Sequence, residues 1–167
     1  REGTYPRYSQ IYPTFCAHLT RFRDFVMQQE LGPVTPVNFE LTYVNRILEE
    51  EGRAVNGAVR PALSEFVWSE RQGRFLPLPS KTVWQIVFDM PKPFGTLSAK
   101  AQPVTRQADD KPLLMLELTA KGLGSDRSFE TMHEWFDCAH EWIVRGFADL
   151  TSLEFQKIAW GRDDGSG

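Results

Sequence analysis

The longest helical pattern in the chain runs from Ser125 to Trp160 and carries one triplet twice, as His133-Glu134-Trp135 and His140-Glu141-Trp142. Seven residues are nearly two turns of an α-helix, so equivalent positions of the two triplets lie on the same side. Apolar residues at spacings of three and four form a stripe beside them, as expected of a helix with one buried face. The stripe comprises Phe129, Met132, Phe136, Ala139, Ile143, Phe147 and Leu150. The rest of the chain must therefore supply a surface that covers this helix.

The ends of the helix are marked by residues suited to capping. Ser125 or Ser128 is predicted to cap its first turn, and the charge of Asp126 suits the positive end of the helix dipole. The pattern predicts that the helix ends near residue 148. Thr151 and Glu154 then have the spacing of a capping box, which predicts a short terminal helix.

The covering surface is predicted to be a β-sheet. Apolar and polar residues alternate over residues 35–48, 83–90, 96–106 and 113–121, which is the period of a half-buried strand. Short polar turns join the last three strands, so these are predicted to pair antiparallel as a meander.

A second long amphipathic helix is predicted over residues 8–31. Pro13 is expected either to kink this helix or to mark its true first turn. Gly32 and Pro33 form a common helix-ending pair. A short helix is also predicted near residues 61–67.

These elements predict an α+β fold, in which an antiparallel sheet is packed on one face by the two long helices. The sheet is one strand plus the three-stranded meander. A helix-grip arrangement, with a curved sheet around the C-terminal helix, is one way to satisfy the pattern. The length of 167 residues predicts a single domain.

The composition limits the classes of partner. Nineteen basic and 22 acidic residues are well mixed and give a net charge of −3, which argues against binding nucleic acid. The sequence contains no apolar run of the roughly 20 residues that span a membrane. Cys16 and Cys138 are the only cysteines, which favours reduced thiols in a cytoplasmic protein. The chain begins at Arg1, so we expect an upstream portion to be missing.

His133, Asp137 and His140 share one shoulder of the long helix and are the candidate ligands of a metal ion. Imidazole and carboxylate groups bind zinc and iron, and such a site would make the chain a metal-dependent hydrolase. However, the histidines are about 10.5 Å apart along the axis at 1.5 Å per residue. The helical metal motif instead spaces them four residues apart. A solvated helix edge is therefore favoured, and we expect no cofactor.

No catalytic group is identified. Cys138 projects toward Trp142 and away from both histidines, so no base is placed to activate its thiol. The sequence also lacks the nucleophile-elbow, phosphate-loop, paired-cysteine and kinase motifs. An enzyme is therefore less favoured than a binding protein.

Aromatic residues are plentiful, with 12 Phe, 5 Trp and 4 Tyr, and such side chains commonly anchor protein interfaces. The leading hypothesis is a non-enzymatic module that binds another protein or a second copy of itself. The alternative is small-molecule binding in a cavity between the sheet and the C-terminal helix. The predicted lining residues of that cavity are Trp84, Phe88, Phe136 and Ile143.

Two stretches of the chain carry a family resemblance. The first is Leu41-Thr42-Tyr43-Val44-Asn45-Arg46-Ile47, and the second is Ala139-His140-Glu141-Trp142-Ile143-Val144 with Phe147, Leu150-Thr151 and Trp160-Gly161. Their order and spacing resemble an uncharacterised, sporadically distributed bacterial protein family. The resemblance implies a cytosolic bacterial protein of which this chain is the C-terminal two-thirds. It implies no reaction, cofactor or catalytic residue.

Overall fold

The structure is a computed structural model that describes residues 7–48, 82–124 and 128–153, together with residues 75, 126 and 156. The elements, in chain order, are α1 (Tyr8–Gln28), β1 (Phe39–Leu48), β2 (Trp84–Asp89), β3 (Thr96–Thr105), β4 (Pro112–Gly122) and α2 (Met132–Leu150). The short helix predicted near residues 61–67 lies outside the described residues, as does most of the predicted terminal helix.

The four strands form one sheet in the order β1-β4-β3-β2, and every neighbouring pair is antiparallel. The predicted α+β class and the meander of the last three strands are therefore confirmed. The alternation predicts that β1 starts at residue 35, but the strand begins at Phe39, which pairs with Gly122 at the end of β4. Val37, beyond the last residue of its partner strand, is almost fully exposed.

One face of the sheet carries most of the apolar core and the other is polar. Alternate residues of the two central strands are buried on the first face: Leu97, Ala99, Ala101, Leu114, Leu116, Leu118 and Ala120. On the second face, the hydroxyls of Thr42 and Thr119 hydrogen-bond at 3.0 Å, and the Gln85 amide donates to Ser98 at 3.1 Å. The sheet therefore presents one face to the helices, as the period-two pattern predicts.

α2 packs its apolar stripe on this face, and Trp135 lies at the centre of the contact. The angular pattern predicts Trp135 on one shoulder of the stripe, but its side chain is fully buried. Its indole N–H donates to the carbonyl oxygen of Phe94 at 2.9 Å. The turn that presents this carbonyl passes close to β4, because a Cβ on Gly95 would lie 2.2 Å from the carbonyl oxygen of Lys121. A tight backbone contact thus gives the buried indole its partner.

The start of α2 differs from the predicted caps. The helix begins at Met132 with Thr131 as its N-cap residue, and no side chain caps it. Asp126 explains the difference, because its carboxylate accepts hydrogen bonds from the hydroxyls of Ser128 at 2.5 Å and Thr131 at 3.0 Å. These bonds hold the pKa of Asp126 below its usual value. Ser125, the other predicted cap, lies outside the described residues.

The end of α2 lies two residues later than predicted, at Leu150. The Thr151 hydroxyl donates to the carbonyl oxygen of Phe147 at 2.7 Å, and the Gln156 amide donates to that of Ala148 at 2.8 Å. Carbonyls of the last turn thereby gain partners. Glu154 lies outside the described residues, so the predicted capping box is not tested.

α1 lies on the same side of the sheet and packs against α2. Tyr12 and Phe15 place their rings 5.1 Å and 5.4 Å from the ring of Phe136. The Arg23 guanidinium lies over the ring of Phe129 at 4.3 Å. Of the two alternatives predicted for Pro13, the structure excludes the first turn of the helix, because the helix begins five residues earlier. α1 ends at Gln28, followed by left-handed backbone at residue 30 and at residue 32.

Candidate functional site

The polar shoulder of α2 meets tyrosines of two other elements. The Tyr12 hydroxyl hydrogen-bonds with Nδ1 of His133 at 2.8 Å, and the Tyr43 hydroxyl hydrogen-bonds with Nδ1 of His140 at 3.0 Å. The ring of Tyr8 stacks on His140 at 4.0 Å between centroids. We call this group the tyrosine clasp, and define it as Tyr8, Tyr12, Tyr43, His133, Asp137 and His140. It joins α1, β1 and α2.

The surroundings of the clasp disfavour charge on His140, Tyr8 and Tyr12. Burial lowers the pKa of His140, and nearby Asp137 opposes that shift in part. Burial also raises the pKa of Tyr8 and of Tyr12; Asp137 adds to the shift at Tyr8, and a hydrogen bond with Cys16 adds to it at Tyr12. These tyrosines therefore stay protonated at neutral pH and act as hydrogen-bonding groups.

The predicted metal ligands are bound to tyrosines rather than directed at one shared point. His133 and His140 use Nδ1 for different tyrosines, and the Tyr8 hydroxyl donates to Asp137 at 3.5 Å. Over the described ranges, no three side chains of the His, Cys, Asp and Glu types are grouped so as to hold a metal ion. The geometry of this shoulder gives no support to a metal-dependent hydrolase.

Cys138 lies away from this chemistry. Burial raises the pKa of its thiol, and the charges of Glu141 and Glu134 raise it further. A nucleophilic cysteine requires the opposite shift, toward the thiolate.

Of the four residues predicted to line a ligand cavity, three lie in or against the core and one lines a groove. Phe136 and Ile143 are buried in the core between α2 and the sheet, and Trp84 is half-buried against that core. Phe88 is more exposed and lines an open groove at the side of the sheet. Only Phe88 of the predicted set therefore belongs to this groove.

The groove lies between the β2 side of the sheet and the C-terminal half of α2, and has a volume of about 360 Å³. We call it the β2–α2 groove. It is lined by Phe88, Leu97, Glu141, Trp142, Arg145, Gly146, Asp149 and Leu150. Gly146 is important for its shape, because a Cβ there would lie 3.1 Å from Cδ2 of Leu97. A larger side chain at position 146 would therefore fill the groove.

The charges of the groove lie on α2. Arg145 forms an ion pair with Glu141 at 3.1 Å between nitrogen and oxygen. Asp149 has no salt-bridge partner within the described part of the chain. The three side chains together carry one net negative charge, so the rim favours a basic group.

β2 borders the groove and is the last strand of the described sheet. The amide of Met90 donates to the carbonyl of Gly95 at 2.8 Å. Residues of an antiparallel strand alternate between bonding their partner and facing away. Gln85, Val87 and Asp89 therefore direct their N–H and C=O groups away from β3.

Within the described residues, this edge lacks several of the features that usually protect an edge strand from pairing. Natural edges are commonly blunted by lysine, proline or bulges, but β2 reads Trp-Gln-Ile-Val-Phe-Asp. Val87 is 59% exposed. Within the described fold, an apolar strand edge is thus open directly beside an apolar groove.

Comparisons of the chain with protein-family models, curated proteins and solved structures find no match in any of the three. Among the described helices, none is both long and apolar enough to cross a membrane.

The sequence pattern did not identify the groove, although it contained one signal. A glycine inside a helix costs about 1 kcal/mol relative to alanine, so Gly146 within α2 indicates a close approach or an open space. Trp142, one turn earlier, lies on the same side of the helix. The contribution of β2 could not be read from the sequence, because the strand order decides which strand is at the edge.

Proposed function

We propose that this chain is a protein-interaction module that binds an extended peptide segment of a partner protein. The peptide adds to β2 as a fifth strand and places alternate side chains in the β2–α2 groove. The observation that carries this proposal is that β2, the edge strand of the described sheet, lies directly beside that groove. Strand addition of this kind uses main-chain hydrogen bonds for affinity and pockets for alternate side chains for specificity.

The dimensions and the charges of the site support an extended ligand. An added strand lies about 4.8 Å from its neighbour, and the outward-facing groups of Gln85, Val87 and Asp89 provide its hydrogen bonds. Aromatic side chains of Phe88 and Trp142 provide apolar contact. The carboxylate of Asp149 favours a peptide with a lysine or arginine near the groove.

A small molecule in the same groove is the second candidate. The volume of about 360 Å³ lies within the range of roughly 300–1,000 Å³ that is typical of ligand pockets. A small molecule would use the groove but not the edge of β2. The two candidates therefore differ in their dependence on the main chain of Val87.

The substitution Val87→Pro tests the peptide proposal. Proline removes the outward N–H of residue 87 but leaves the hydrogen bonds between β2 and β3, since proline is tolerated where the N–H faces solvent. We expect peptides selected on the wild-type chain from a random 12-residue display library to bind this variant at least tenfold more weakly. Affinity is measured by titration calorimetry.

Val87→Thr is the matched control, because it keeps both the N–H group and the β-branched shape. It should bind the same peptides within about twofold of wild type. Equal binding by the proline variant would reject strand addition. If Val87→Pro bound the peptides normally but Gly146→Leu did not, the result would support binding in the groove without strand addition.

We also propose, from the resemblance described above, that the chain belongs to that bacterial family and functions in the cytoplasm. Cys16 and Cys138 are both free, which agrees with a reducing compartment. Sequencing the complete gene and its genomic neighbours tests this proposal. The resemblance implies an additional N-terminal third, and a gene that lacks it would contradict the proposal.

A further inference from the structure

The exposed side of α1 carries a second apolar surface that the β2–α2 groove does not involve. Its residues follow spacings of four, three, four and three: Ile11, Phe15, His18, Phe22 and Phe25. We call this row the α1 seam. Its four apolar side chains are between 40% and 55% exposed. Exposed phenylalanines in such a row form a larger apolar patch than single surface residues do.

The α1 seam lies beside the side of α1 that packs on α2, and Phe15 belongs to both, since its ring lies 5.4 Å from the ring of Phe136. Tyr8, Tyr12 and Leu19 pack against the core. At 100° per residue, their side of the helix is centred roughly 75° from the seam. α2 therefore covers only one flank of the apolar surface of α1.

We propose that the α1 seam pairs with the α1 seam of a second copy of this chain, and that the two copies form a two-fold symmetric dimer. A repeat of four and three residues is the spacing at which two helices pack knobs into holes along their length. Two-fold dimers use the same patch on both subunits. One continuous seam therefore provides both halves of the interface.

The charges beside the seam favour a second copy over a partner of opposite charge. The flank facing away from α2 carries Thr14, Arg21 and Gln28, so it has one charge along about four turns. Helices that select different partners usually carry charged residues along this flank. The nearly neutral flank neither repels an identical copy nor selects a charged one.

The area of the seam sets the expected strength of the dimer. Half-exposed phenylalanine and isoleucine side chains contribute about 100 Å² each, or roughly 400 Å² per copy, whereas a standard interface buries about 800 Å² per partner. His18 lies in the middle of the seam, where a polar residue reduces stability and fixes the register. We therefore expect a weak dimer whose population depends on concentration.

Sedimentation velocity of the 167-residue chain over a range of concentrations tests this proposal. The wild type should shift from monomer to dimer as concentration rises, and Phe22→Glu should remain monomeric. His18→Leu should strengthen the dimer at least tenfold, because it completes the apolar seam. If His18 lay outside the dimer interface, His18→Leu would not strengthen dimerisation.

The matched control is Met27→Glu. Met27 is also an exposed apolar residue of α1, 74% exposed, but it projects about 150° from the seam. The control should dimerise like the wild type, and circular dichroism should show that all variants keep their helices. A monomer in both wild type and His18→Leu would overturn the proposal. So would a dimer that survives Phe22→Glu but is lost in Val87→Pro, because that result would assign the interface to β2.

Discussion

His140 is the residue whose environment most directly links the fold to pH. Its Nδ1 hydrogen-bonds with the hydroxyl of Tyr43 in β1, and its ring stacks on the ring of Tyr8 in α1. Burial lowers its pKa, while Asp137 opposes the shift. The folded chain therefore binds a proton at His140 less readily than the unfolded chain does.

The direction of the pH effect follows from this difference. An unfolded histidine has a pKa of about 6.5, so the unfolded chain takes up its proton first as the pH falls. The contribution of His140 to the free energy of unfolding is fully present above about pH 7 and decreases as the pH falls through 6.5 toward the lower folded value. Below the folded pKa, this loss is complete.

We expect His140→Phe to remove this part of the pH dependence. The variant keeps a ring to stack on Tyr8 but cannot be protonated, so its free energy of unfolding should change less between about pH 7.5 and pH 5.5. Urea denaturation at each pH provides the measurement. Identical slopes for His140→Phe and wild type would contradict this account of the clasp.

At the scale of elements, the turn between β2 and β3 passes directly against the end of β4. Gly95 has a φ of 99°, and an added Cβ would meet the backbone of Lys121 at 2.2 Å. The same turn provides the carbonyl of Phe94 for the Trp135 indole. A side chain at residue 95 would therefore disturb both the sheet and the helix that packs on it.

Gly95→Ala should destabilise the fold more than Gly32→Ala does. Gly32 has a similar φ of 94°, but a Cβ added there would have no atom of the described chain within 4 Å. Left-handed strain alone costs about 1–2 kcal/mol, so we expect that loss for Gly32→Ala. We expect at least about 3 kcal/mol for Gly95→Ala, because the backbone clash adds to the strain. Chemical denaturation gives both values, and equal losses would mean that the close approach to β4 is unimportant.

The sequence predicts the elements better than it predicts their neighbours. Alternation reveals the strands of the meander because one face is buried and the other is polar. The capping pattern misplaces the start of α2, because the hydroxyl of Thr131 donates a hydrogen bond to Asp126 instead of capping the helix. Local sequence patterns do not reveal the clasp, because Tyr43 lies 97 residues from His140 in the chain. Such partners depend on the strand order, which local patterns do not contain.

At the scale of the whole molecule, the described fold has two apolar surfaces with different shapes. The β2–α2 groove combines a strand edge with a concave surface, which suits an extended peptide. The α1 seam is a straight helical row, which suits another helix. The tyrosine clasp joins α1 to α2 and β1, so it fixes the seam relative to the sheet. The described fold thus presents two surfaces, and each is suited to a different kind of partner.

Strand addition to β2 is the central claim, and amide hydrogen exchange at single-residue resolution tests it most directly. The amides of Gln85, Val87 and Asp89 face away from β3 and should exchange quickly in the free chain. Addition of a selected peptide should slow all three at least tenfold, while the amides of Ile86 and Phe88 change little. Unchanged exchange at these three amides in the saturated complex would contradict strand addition at β2.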